Sequence, residues 1–475
     1  MSLLPVASLV KAVQDGSTEP GEILTAYGKQ ALRAHAETNC LTEIMILSAE
    51  TWAKECNRKG PLAGIPVSLK DTTGVASWDS TIGYSAWVGK PMQKDSCLVR
   101  LLRDAGAVPY VKTNVPITLM SGESFNDVFG RSTNPHSKAY TPGGSSGGEG
   151  ALLAFGGSRI GIGTDVGGSV RIPAHFSGVM PWTPYSGLGR TRWGVIWDDG
   201  VVAPSPACKR ALETVVEALR KDPNNEIINI TPPSPYEGLK IASQLLIADG
   251  CTHVSQFTLT FSTNHIILAV RTGMHPVRTG ESNDPGVAQA LSMLALPSFL
   301  RRLYVWYLRY LKRDEIYAGL VEGWSAKSVY EYWPLVAQRE DYRRRWWEMW
   351  RQEELDYVLT VPNSMPALPH GGMRDGFKAL GYTLLFNLLD YTAGVLPVTH
   401  LDAVEDKLSS KIIARNSIEK AVYKMYDPNA MNGLPVGVQV VGKRLEEEKV
   451  LFGMQTIERL LKDEGKVYEL LNGKR

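Results

Sequence analysis

The sequence predicts an α/β fold built as one large domain, on three observations. Helix-period and strand-like segments alternate along the chain, which favours helices layered on a sheet. No internal repeat and no low-complexity linker divides it, although the length alone would allow about three domains of ordinary size. The composition, 44% hydrophobic and 21% charged over 475 residues, suits a chain with a substantial core and not a disordered or fibrous one.

The elements follow in order. Residues 5–35 read as helices: Leu9, Val10 and Val13 mark one face, and the turn residues of STEPGEIL open a second 3.6-residue period. PLAGIPVSLKDTTGV (61–75) is an apolar run ending in polar residues, a strand running into a loop. DSCLVRLLRDAGAVPYVKTNVP (95–116) reads as a helix stopped at Gly106, then a strand at 108–112. EGALLAFGG (149–157) is a short helix closed by glycine, and RIGIGTDVGGS (159–169) is a strand entering a tight turn. A strand in WGVIWDDG (193–200), a helix over 206–221 and a strand in EIINI (226–230) continue the alternation.

Bulk properties exclude several function classes. The net charge of +2 gives no global sign of a nucleic-acid partner. Five scattered cysteines with no CxxC pair speak against a disulfide framework or a zinc site and fit reduced thiols in a cytoplasmic chain. The eight histidines are dispersed and form no HExxH, so no metal is expected, and no organic cofactor is implied. The first residues lack the pattern of a signal peptide, and no apolar run is long enough to span a bilayer.

Two glycine-rich turns remain, TPGGSSGGEG (141–150) and TDVGGSVRIP (164–173). Neither ends in GK[ST], and neither has GxGxxG spacing; by composition alone each is a structural turn or a phosphate loop. What distinguishes them is order: a lysine after an apolar strand, then GGSSGG, then DVGGS. GIPVSLKD (64–71), PGGSSGGEGALLAFGGSRIGIGTDVGGSVRIPA (142–174) and GLPVGVQVVG (433–442) closely resemble the amidase signature hydrolases. FNLLDYTAGVLPVTHLD (386–402) and LPSFLRRL (296–303) are similar to the branch that holds fungal acetamidase and fatty acid amide hydrolase. The resemblance covers most of the chain, with its core motif over 61–180. It implies a mixed, twisted β-sheet core surrounded by helices.

Carried over residue by residue, the resemblance makes Ser169 the nucleophile, Ser145 the bridging serine and Lys70 the base. The backbone amides of Val166, Gly167, Gly168 and Ser169 match the oxyanion hole. Gly144, Ser146, Asp165, Arg171 and Ser121 match supporting or substrate-lining positions. Ser146 is expected to hydrogen-bond its own loop, and Asp165 and Arg171 to brace the turn as an ion pair. The resemblance also implies a cis peptide bond before Ser145.

The chemistry stands on its own reasons. A serine hydroxyl is a poor nucleophile until a base takes its proton. Neither glycine turn offers a histidine, so lysine must serve, as the neutral amine. With a reference pKa of ~10.4, about one lysine in a few thousand is neutral at pH 7. Burial lowers that pKa by up to ~3–5 units, so Lys70 must be dry. A carboxylate facing the ammonium would work the other way, so Asp71 is expected to point elsewhere. Ser145 can accept and donate at once, which suits a relay to Ser169 and back to the leaving nitrogen.

The implied substrate is a small-molecule or lipid amide; the lack of a spanning helix leans toward a small, acetamidase-like one. LPSFLRRLYVWYLRYLKRD (296–314) segregates Arg301, Arg302, Arg309, Lys312 and Arg313 from Leu300, Leu303, Tyr304, Tyr307, Leu308, Tyr310 and Leu311 on a helical wheel. It reads as a surface helix packed on the core, or as a peripheral membrane helix with its basic face on lipid head groups. A homodimer is the remaining partner expectation.

Two departures from the family pattern stand out. After HFSGVM (175–180) the chain passes directly to PWTPYSGLGRTRWGVIWDDG (181–200), which belongs to a later point, so an internal segment is deleted after residue 180. The segment 251–280 is atypical and insert-like. One skipped exon and one translated intron would explain both. A catalytically inactive or unstable family member is therefore an alternative to the active hydrolase.

Overall fold

The computed structural model describes residues 4–179, 190–249, 285–409 and 413–471. The junction after residue 180 and the segment 251–280 lie outside the described residues. Contacts divide the chain into two compact units: Met1–Asp165 with Glu469–Arg475, and Val166–Ser255 with Pro285–Tyr468. No shift in composition marks the division, which falls inside the TDVGGS turn.

In the first unit, α1 (Val6–Gln14) buries Leu9 and Val13, the face that the periodicity assigns. Proline at its first position and a capping box between Glu19 and Glu22 start α2 (Pro20–Thr38). β1 (Leu41–Ile44) and α3 (Ile46–Glu55) follow. β2 (Pro66–Lys70) is buried at every position, as an interior parallel strand requires. Ser96 caps α4 (Cys97–Asp104), and β3 (Val108–Thr113) comes next. A two-residue pair, β4 (Phe125–Asn126) with β5 (Gly130–Arg131), precedes α5 (Gly147–Phe155), which Gly156 closes in the left-handed conformation. β6 (Ile160–Ile162) completes a sheet of order β1-β3-β2-β6. β2 runs parallel to both β3 and β6, while β1 is antiparallel to β3. Ile23, Leu24, Tyr27 and Ala31 of α2 pack with Tyr110, Val111 and Leu152 to form its core.

The second unit opens with α6 (Arg171–Ser177) and continues through β7 (Thr191–Val195), α7 (Pro206–Lys221), β8 (Asn225–Asn229) and α8 (Pro235–Leu246). β9 (Tyr357–Thr360), β10 (Ala393–His400) and β11 (Pro435–Val441) join β7 and β8 in the order β10-β11-β9-β7-β8. The pairs among β7, β8 and β9 are parallel and those of β11 antiparallel, so this sheet is mixed as well. Tyr342, Trp346 and Trp350 of the helix Val329–Gln352 bury against Phe386 and Leu389.

The α/β class holds, and α7 coincides with the predicted helix. The strand expected within 193–200 stops at Val195. Beyond it, Asp199 accepts from the amides of Val201 (2.8 Å) and Val202 (2.9 Å), so the end of the predicted run is a side-chain turn. No helix among the described residues is long and apolar enough to cross a membrane.

Candidate active site

β2 delivers Lys70 at its last residue, where the strand gives way to a loop. The side chain is fully buried, with Nζ 2.8 Å from Ser145 Oγ, 2.9 Å from Thr164 Oγ1 and 3.2 Å from the Thr164 carbonyl. Burial pushes its pKa down to about 8, against the partial opposition of the negative charges on Asp165 and Glu149. Roughly a tenth of such a lysine is neutral at pH 7, against one in a few thousand in water.

Asp71, next in the chain, faces away as expected. Its carboxylate pairs with Lys112 at 3.0 Å, both groups buried, and accepts from Thr81 (3.0 Å), Thr42 (3.3 Å) and the amide of Ile82 (2.8 Å). Lys112 also donates to Ser80 (2.6 Å) and to the Asp79 carbonyl. Strand alternation explains the separation: residues 70 and 71 emerge on opposite sides.

The Gly144–Ser145 peptide is cis, as the resemblance implied. A Cβ on Gly144 would lie 2.5 Å from the Ser121 carbonyl and 2.7 Å from the Glu123 amide, so that residue must be glycine. Ser121 is buried, and its hydroxyl accepts from the Glu123 amide at 3.0 Å. The expectation for Ser146 fails: its buried hydroxyl has no partner among the described residues. Ser124, which the sequence reading missed, braces the loop instead. Its hydroxyl donates to the Gly143 carbonyl (3.2 Å) and accepts from the Gly147 amide (2.9 Å).

In the second unit, Val166 to Ser169 lead into α6, with Ser169 partly exposed and Val166 67% exposed. Thr383 Oγ1 donates to the Gly167 carbonyl at 2.8 Å, and Ile172 donates its amide to the Gly168 carbonyl at 2.7 Å. Fixing a carbonyl fixes the N–H across the same planar peptide, so these bonds orient the amides of Gly168 and Ser169. Gly168 has φ +121°, and a Cβ there would come within 2.4 Å of Thr383 Oγ1. Arg171 is buried and donates to Gln439 (2.8 Å) and Asn387. Asp165 belongs to the first unit.

His175, fully buried in α6, has no acid–base character to offer. Its Nδ1 accepts from the Gly437 amide at 3.1 Å, which leaves Nε2 to donate to the Met365 carbonyl at 3.1 Å. Burial pushes its pKa down to about 4. Among the described residues no three His, Cys, Asp or Glu side chains are grouped to hold a metal.

The Amidase family model matches residues 22–188 and 180–451. The chain belongs to the amidase family. Its two matches overlap at 180–188. Among amidase relatives, "Amidase 1" of Gibberella moniliformis is 32% identical over 96% of this chain and 92% of its own length. "Fatty-acid amide hydrolase 1" of Sus scrofa is 32% identical over 96% of this chain and 86% of its own. A solved structure of a fatty acid amide hydrolase superposes with a TM-score of 0.79 at 26% identity, over 97% of this chain and 85% of that one.

One amidase element departs from expectation. Residues 296–314 do not form one regular helix; Ser298–Trp306 is α-helical and Tyr307–Leu311 is a π-helix, which breaks the wheel's 100° spacing. Within Ser298–Leu311 only Val305 and Leu308 are buried, while Phe299, Leu303, Trp306, Tyr310 and Leu311 are exposed. The basic side is partly tied down: Arg309 pairs with Glu315 (2.7 Å) and Glu322 (2.9 Å), and Arg301 donates to the carbonyls of Leu294 and Trp324.

Proposed function

We propose that this amidase hydrolyses a carboxylic acid amide to the acid plus an amine or ammonia, through an acyl-enzyme on Ser169. Ser169 Oγ attacks the carbonyl carbon while its proton passes through Ser145 to Lys70. The oxyanion is met by the amides of Val166, Gly167, Gly168 and Ser169, where losing one such donor costs ~2.7–4 kcal/mol in barrier. The C–N bond then breaks as the proton returns through Ser145 to the nitrogen, and water releases the acid by the same relay. The observation that carries this reading is Lys70: a buried amine, its pKa down to about 8, lying 2.8 Å from the middle serine.

The test is labelling with a fluorophosphonate of the unaltered chain, Ser169→Ala and Lys70→Ala. Labelling of the unaltered chain alone is expected. A cooperative melt without labelling would instead make the chain an inert scaffold.

A second reading, a lipid amide taken from a membrane surface, is favoured by the exposed row Phe299, Leu303, Trp306, Tyr310 and Leu311. Hydrolysis rates over amides of increasing acyl length separate it from a small-amide substrate.

A further inference from the structure

One buried acid in the first unit is left unused by the proposed chemistry. Glu149 lies in the first turn of α5, four residues after Ser145, and is 4% exposed. Its carboxyl accepts from Ser68 Oγ at 2.7 Å and from Thr113 Oγ1 at 3.0 Å. Ser68 stands two residues before Lys70 on β2, so the two side chains share a face of the sheet. Thr113 is the residue in register beside Lys70 on β3. On the other flank, Gly161 of β6 pairs with Ser68, and a Cβ there would meet Glu149 Oε2 at 2.2 Å. The carboxyl therefore lies across three neighbouring strands, on the face from which Lys70 reaches Ser145.

We propose that Glu149 is a positioning residue for the base, a carboxyl held beside Lys70 whose charge governs how readily the amine sheds its proton. The proposal rests on the reading of Lys70 as the proton acceptor. Its surroundings accommodate both charge states. As a carboxylate, Glu149 takes one hydroxyl on each oxygen. As an acid it can donate to Ser68 Oγ, which then turns to the Ile160 carbonyl at 3.4 Å, while Thr113 has the Leu69 carbonyl at 3.5 Å. Burial raises its pKa to about 7, next to the value of about 8 for Lys70, so its charge changes in the pH range in which the amine titrates. The other ionisable groups nearby are Cys40, Tyr110 and, from α2, Tyr27, all kept neutral by burial. Asp165 adds its charge at Lys70, and Lys112 is on the opposite sheet face with Asp71.

The experiment titrates Lys70 itself, by the carbon-13 shift of its ε carbon in lysine-labelled protein, assigned by its loss in Lys70→Met. In Glu149→Gln the midpoint should fall by roughly one pH unit, the low end of what a nearby opposite charge does. Thr113→Val, which leaves the acid in place with one donor fewer, should move it less and in the same direction. It decides the matter should Glu149→Gln fail to melt cooperatively. An unmoved midpoint in a folded variant would overturn the role of Glu149. Fluorophosphonate labelling of the unaltered chain, followed in parallel, reports separately on the hydrolase reading.

Discussion

Asp71 is joined to Lys70 by a peptide bond, yet its carboxylate is spent on Lys112, 3.0 Å away. The arrangement keeps the charge of Asp71 off Lys70. Both charges of the pair are buried, so removing one leaves the other uncompensated. Asp71→Ala should lose ~3–5 kcal/mol of stability in denaturant unfolding, and Asp71→Leu combined with Lys112→Met should regain most of it.

Activity should rise with pH. In the proposed mechanism the acceptor is the neutral amine, so labelling should increase about tenfold per pH unit below about 8 and level off above it. His175, down at about 4, contributes no inflection near neutrality. Stability obeys the same pKa. Between about 8 and 10.5 the unfolded chain holds more protons at this lysine than the folded one, so its penalty is full below 8 and fades as pH rises. Lys70→Met should therefore melt above the unaltered chain at pH 7, with the gap closing toward pH 10.

Thr383 is a test of the second glycine turn. Thr383→Val removes the donor to the Gly167 carbonyl and should slow labelling by about two- to tenfold, the worth of one hydrogen bond, while Thr383→Ser retains it. Gly168→Ala meets both the positive φ and the Thr383 hydroxyl, and should cost far more.

Membrane attachment has its own check. Leu303→Ser with Trp306→Ser should abolish co-sedimentation with anionic phospholipid vesicles at low salt and leave turnover of a small soluble amide intact. An unaltered chain that stays in the supernatant would end that reading.

Much of this was legible in residues close together in the chain. The apolar run ending in Lys70 gave a buried strand tip, and the two glycine turns gave loops that no bulky residue could occupy. What stayed hidden depends on distant partners. Ser124 and Thr383 bind carbonyls in turns that sequence spacing does not connect to them. Glu149 looked like an ordinary acid in a first helical turn; only the strands beneath it reveal a buried carboxyl. Ser146 did not bond its own loop as expected, because a place in a glycine-rich turn says nothing about which way a hydroxyl points. For 296–314 a helical wheel divides basic from apolar residues but cannot say which side is turned inward, and the π-helical stretch shifts the division itself.

β2 is flanked by β3 and β6, so ladders close both its edges. Amide hydrogens on this strand should exchange with deuterium only when the unit opens as a whole, among the slowest in the chain. Leu69, the residue before Lys70, is held on both sides, paired with Lys112 and with Ile162. Denaturant should erase slow exchange at Leu69 and reactivity toward the probe over one and the same concentration range.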